Sequence, residues 1–125
     1  MDLANFESLY YKTKNGRNPV KEFVDNLSFK AQRRFFVKID LLEDYGPRLP
    51  EPHAKKLEND LYELRFEGDD GIVRIIYFFY IGKTIILLNG FKKKTQKTPR
   101  REIELAKNRM ADYLGTLSAC IVKEG

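Results

Sequence analysis

The sequence predicts a single α+β domain with elements in the order β-α-α-β-β-β-α. Three observations lead there. Apolar residues recur at helical spacing between Asn18 and Tyr45 and again after Pro99. Between Leu61 and Lys93 the period shortens to that of strands, and glycine-containing turn signals at 68–71 and 82–83 cut that stretch into a three-stranded meander. At 125 residues the chain fits one domain, placed here at residues 1–115, with residues 116–125 as a tail of open structure.

The first strand is expected over residues 6–12, an aromatic-rich run stopped by Asn15-Gly16. Asn18-Pro19 then offers an N-cap and a first-turn proline for a short helix carrying Val20, Phe23, Val24 and Leu27 at helical spacing. Ser28 caps a second helix running to Tyr45, whose buried stripe is Ala31, Phe35, Ile39 and Leu42. Gly46-Pro47 ends it. Two helices with almost no linker imply an antiparallel helical hairpin. Residues 61–66 alternate as a strand, Gly68-Asp69-Asp70-Gly71 forms a turn, and Ile72–Tyr80 is apolar enough for a central strand buried on both faces. Gly82-Lys83 turns the chain into the last strand, Thr84–Lys93. Thr98-Pro99 caps the final helix, with Ile103, Ala106, Met110, Tyr113 and Leu114 as its stripe and Gly115 as its end.

Composition narrows the function classes. The 42 % hydrophobic and 33 % charged residues are those of a globular domain, and the single Cys120 forms no internal disulfide, which suits a reducing cytoplasm. No signal peptide is apparent, and the apolar run from Ile72 to Leu88 is interrupted by Arg74, Gly82 and Lys83, so no membrane contact is expected. Lys92, Lys93, Lys94, Lys97, Arg100 and Arg101 place six cations in one decapeptide, more than the whole protein's net charge of +5. Such a patch is either a solvated loop or the footprint of a polyphosphate partner.

The turns allow a register to be proposed. Symmetry about residues 68–71 places Arg65 opposite Arg74, an unfavourable pair of like charges. Two compensations are open: Glu63, two residues along the same face, or a bound phosphate gripped by both guanidiniums. If Gly82-Lys83 is a two-residue loop, Phe91 lies opposite Arg74 and Lys93 joins the same face. A three-residue loop would flip the last strand and remove both. Phe91 is then either a ring that stacks a base among cations, as in single-strand sites, or a core residue under the last helix. His53, Lys55 and Lys56 lie on the connection into the sheet. One histidine rules out a two-histidine ribonuclease mechanism, and no metal-ligand spacing, glycine-rich phosphate loop or Ser-His-Asp set occurs. No cofactor is expected, so any catalysis rests on lysine and arginine acting on a negatively charged phosphorane.

At these residues a resemblance enters. Leu61-Tyr62-Glu63-Leu64-Arg65, Arg74-Ile75-Ile76-Tyr77, and the run from Leu87 through Phe91-Lys92-Lys93-Lys94-Thr95 to Thr98-Pro99 resemble the pattern of RelE-like toxins, more narrowly the phage-derived HigB-type branch. The likeness covers roughly residues 5–115. It implies a RelE-like fold and the toxin of a type II toxin–antitoxin system: an mRNA interferase that enters the ribosomal A site, cuts mRNA by metal-independent attack of the 2′-hydroxyl, and inhibits translation. It implies Lys56 (or its neighbour Lys55), Arg65 and Lys93 at the scissile phosphate. His53, Lys55, Arg74, Phe91, Lys92, Lys94 and Lys97 are the expected RNA contacts. The family's last-strand basic residue is often arginine and is lysine here, and its C-terminal tyrosine has Phe91 or Tyr113 as candidate counterparts, which leaves the general base open. The implied partners are a HigA-type helix-turn-helix antitoxin, the ribosome and its mRNA, and operator DNA through the antitoxin. The alternative is a non-catalytic RNA-, ribosome- or protein-binding regulator on the same fold.

Overall fold

The computed structural model describes residues 5–93 and 97–124, with side chains described up to Gly115. The elements are β1 (Glu7–Tyr10), α1 (Pro19–Asp25), α2 (Phe29–Tyr45), a 3-10 turn (Gly46–Arg48), β2 (Ala54–Lys56), β3 (Tyr62–Glu67), β4 (Ile72–Tyr80), β5 (Thr84–Lys93) and α3 (Arg100–Glu124). The strands form one sheet of order β1-β5-β4-β3-β2, in which β1 runs parallel to β5 and the other pairs are antiparallel. The expected α+β class holds. The β2 edge strand is an addition, because Lys55 and Lys56 belong to the sheet and not to a connection.

Side-chain alternation splits the sheet between two cores. Leu64, Phe66, Val73, Ile75, Tyr77, Ile85 and Leu87 meet the helical hairpin, where Phe35, Ile39 and Leu42 of α2 are buried. Leu61, Ile76, Phe78, Ile86 and Leu88 meet Ile103 and Ala106 of α3 on the other side. The sheet is therefore the middle of three layers, which explains why β4 reads as a continuous apolar run. Ala31, Phe35, Ile39 and Leu42 are the buried residues of α2, as their spacing predicts, and the Ser28 hydroxyl accepts the Ala31 N–H at 3.1 Å.

Two ends differ from expectation. Asn18 holds the cap position of α1 without a capping side-chain bond, leaving Pro19 as the starting signal. Helix α3 passes through Gly115 and continues to Glu124; a Cβ at Gly115 would meet nothing within 4 Å, so glycine there is neither a close contact nor a stop. Leu114 is exposed rather than part of the buried stripe. No helix among the described residues is long and apolar enough to cross a membrane.

Candidate phosphate site and cationic groove

The β3–β4 hairpin has the register its turn predicts. Glu67 pairs with Ile72 across the four-residue loop, and Arg65 stands opposite Arg74. The next hairpin reaches the expected result by another route. Tyr80 pairs with Thr84, so the turn holds three residues, Ile81, Gly82 and Lys83, with Gly82 and Lys83 both at positive φ. Left alone, that turn would invert β5. The register shifts between Ile76, paired with Asn89, and Tyr77, paired with Leu87, leaving Leu88 as the extra residue of a β-bulge. The bulge restores the alternation, so Arg74 pairs with Phe91 and Ile72 with Lys93.

Arg65, Arg74, Phe91 and Lys93 thus share the α3 face of the sheet. Glu63 lies among them with a fully buried side chain. Its Oε1 accepts from Arg65 Nε at 2.8 Å and lies 3.5 Å from Arg74 Nη1, while its Oε2 accepts the Thr98 hydroxyl. The carboxylate compensates the opposed guanidiniums, so the protein supplies part of the counter-charge and two cations share one anion. Thr98 does not cap α3; its hydroxyl is spent on Glu63. The three contacts fix the orientation of Arg65, whose side chain is 16 % exposed, whereas that of Arg74 is 2 % exposed. Arg74 is a support for the site and Arg65 is its accessible member.

The remaining expected residues divide. Lys55 pairs with Glu63 and so lies on the face of Arg65. Lys56 pairs with Tyr62, and its ammonium sits 5.8 Å from that ring on the hairpin side. The geometry therefore does not bring Lys56 to Arg65, because adjacent strand residues point to opposite faces. Phe91 is buried in the α3 cluster, so its ring fills core and offers no face to a base. Lys93 is half-buried at the end of β5. Lys92 is exposed and alternates away from it, and Lys97 is exposed just before α3. Lys94 lies outside the described residues. His53 is not simply solvated: Lys38 Nζ lies 2.6 Å from its Nδ1, and its backbone carbonyl accepts the Arg65 N–H at 2.9 Å. An ammonium has only donors, so the ring nitrogen is the acceptor.

The basic decapeptide is less cationic in space than in sequence. Arg100 is gripped by Glu58, with Nη1 2.7 Å from Oε1, and by Glu104; Lys107 also reaches Glu58. Hydrogen bonds from Arg100 and Lys107 hold the Glu58 carboxyl at a pKa of about 2, below its usual 4.5. A depressed carboxylate stabilises the fold above its ordinary pKa and loses that contribution as pH falls through the folded value. The melting-temperature gap between native protein and Glu58→Gln is therefore expected to be full near neutrality and to close as pH drops from 4.5 towards 2. Thermal scans across that range check it, and a gap independent of pH would contradict it.

A second concentration of charge lies within residues 30–38, which hold four cations and no acid. Lys30, Arg33, Arg34 and Lys38 recur three and four residues apart along one side of α2. They line one wall of a groove of about 830 Å³ whose other wall holds Arg65 and Arg74. The groove exists because β2 covers β3 only from Tyr62 to Leu64, leaving the last residues of β3 at an open edge. Arg34 closes one point of that edge by donating to the Glu67 carbonyl. Among the described residues no carboxylate forms an ion pair with Lys30, Arg33, Arg34 or Lys38. No group of three His, Cys, Asp or Glu side chains converges on a common point among the described residues.

A five-stranded sheet with a helical hairpin on one face and a C-terminal helix on the other is consistent with the RelE-like fold. The chain belongs to the family of phage-derived Gp49-like proteins (DUF891), whose model matches residues 22–111, a family associated with RelE- and HigB-like toxins. The matched span takes in α2, the hairpin with Arg65 and Arg74, β5 and the first half of α3. No curated protein matches the chain.

Proposed function

We propose that this protein is the toxin of a type II toxin–antitoxin system of the HigB type, a ribosome-dependent mRNA endoribonuclease. The observation that carries the reading is the Arg65–Glu63–Arg74 arrangement: a partly exposed guanidinium, held in place from behind, on a residue that lines a cationic groove. In the reaction the ribose 2′-oxygen attacks the adjacent phosphorus, the bond to the 5′-oxygen breaks, and a 2′,3′-cyclic phosphate and a 5′-hydroxyl result. Arg65 stabilises the charge on the phosphorane, a group that needs oriented donors more than it needs a nucleophile from the protein. Lys93 adds positive charge from β5, on the far side of β4 from Arg65. In this reading Lys55 moves the proton in preference to Lys56, a choice supported by its pairing with Glu63, which puts it on the face of Arg65. A helix-turn-helix antitoxin of the HigA type is the proposed neutralising partner, binding operator DNA with the toxin in tow.

Primer extension on mRNA from cells expressing the protein tests the reading. Reproducible cuts in phase with codons are expected. Uncut transcripts on ribosomes that have bound the protein would instead favour a non-catalytic RNA- or ribosome-binding regulator. The buried Glu63 lends that second reading its support, because it gives the two arginines a structural role as well.

A further inference from the structure

The site above explains how a phosphate is held, but Phe91 is buried and the α3 face offers no ring for a base. The groove along α2 does. Phe29, the first residue of α2, is 76 % exposed, and it lines the groove together with Lys30 and Arg33. A ring so exposed contributes little to the core, and a helix has no need of phenylalanine at its first position. Cations spaced one helical turn apart follow it along the wall, with neighbouring Cβ atoms about 5–6 Å apart. From Phe29 to Lys38 the row spans about 14 Å at 1.5 Å per residue. At the far wall lie Arg65 and Arg74.

We infer that this groove is the track for the single-stranded RNA next to the scissile phosphate, with Phe29 as the platform on which a base stacks and Lys30 and Arg33 as its phosphate contacts. The inference rests on the endoribonuclease reading for the identity of the phosphate at Arg65. Three features select a single strand. A cationic row beside a free aromatic face is the combination that grips backbone and base together. A duplex would present its phosphates but no unstacked base, so the Phe29 ring would have nothing to pair with. The single carboxylate lining the groove, Glu67, faces six cations, which suits a chain with one negative charge per residue. Arg34 and Lys38 are left out of the contact set because the one is already bonded to the Glu67 carbonyl and the other to His53 Nδ1.

The test is fluorescence anisotropy of the full chain with a short fluorescein-labelled 2′-O-methyl oligouridylate, which lacks the attacking hydroxyl and so reports binding alone. Phe29→Ala and Phe29→Leu are each expected to weaken binding at least about five-fold, the loss of one base–aromatic stack, while Phe29→Trp retains it. Lys30→Gln and Arg33→Gln are each expected to lower the slope of log affinity against log salt by about 0.7, the single-strand value per phosphate contact. Because these side chains project from the surface of α2, all five variants should melt with the native protein, and a binding loss confined to variants that melt early would count against the inference. Native affinity in Phe29→Leu would overturn it, since an apolar contact without stacking is what a protein partner would use. Tighter binding of a hairpin duplex, insensitive to Phe29, would overturn it in favour of a folded RNA surface. The two proposals fail separately: loss of binding in the groove variants with uncut cellular transcripts would leave the track standing and remove the nuclease, whereas transcript cutting abolished by Arg65→Ala with native binding in every groove variant would do the reverse.

Discussion

Arg65→Ala is expected to relieve the growth arrest caused by expression and to reduce mRNA cutting by about a hundred- to a thousand-fold, the usual cost of removing one oriented donor from a developing oxyanion. The fold should survive. Arg65 is the more exposed of the two arginines, and without it Glu63 keeps Thr98 and gains a closer claim on Arg74. Arg65→Lys restores the charge but not the planar fork, so partial recovery is expected; an ammonium is a point charge and orients a phosphate poorly. The measurement is primer extension on transcripts from induced cells, paired with a thermal melt of each purified variant. Full toxicity in a folded Arg65→Ala protein would remove Arg65 from the site and with it the proposed mechanism.

Glu63→Gln should produce the largest loss of stability of any conservative change in the sheet. The substitution keeps shape and removes the negative charge that Glu63 sets between two guanidiniums held opposite each other by the hairpin register. Removing the counter-charge from a buried ion pair typically costs about 3–5 kcal/mol. For a domain of this size that corresponds to a fall in melting temperature on the order of 10 °C or more. Loss of cutting should accompany it, because Arg65 Nε then donates to a neutral amide oxygen, a weaker orienting partner than the carboxylate. A Glu63→Gln protein that melts like the native one would mean that Arg74 and Arg65 are held apart by something other than this carboxylate.

Features written in neighbouring residues were legible in the sequence, and features written across the fold were not. The α2 stripe follows from apolar spacing within one helix, and the Arg65–Arg74 pairing follows from a turn only a few residues away. Strand β2 escaped because three residues, two of them lysine, show no alternation from which a strand could be inferred. The bulge at Leu88 escaped because it is a backbone event inside a continuous apolar run, where either phase buries a leucine. The charge count misled for a similar reason. Arg100 meets Glu58, 42 residues earlier, so part of the basic run is neutralised by a residue far outside it. The α2 row escaped because Asp40, Glu43 and Asp44 nearly cancel it in a sum over the whole helix, although residues 30–38 hold four cations and no acid. In space the two signs occupy different stretches of the helix, and a groove reads only the stretch that lines it.

The three-residue turn after β4 and the bulge at Leu88 behave like a frameshift and its suppressor. Each by itself swaps the faces of the strand's outer half, carrying Lys93 away from Arg74 and turning Phe91 towards the helical hairpin. Together they cancel. An ancestor with a two-residue turn and an unbroken strand would present the same cationic face, so the pair can be gained or lost in a lineage only as a unit. Related chains that differ by one residue in this turn should therefore differ by one residue in β5 as well, and their lengths should covary even where their side chains do not.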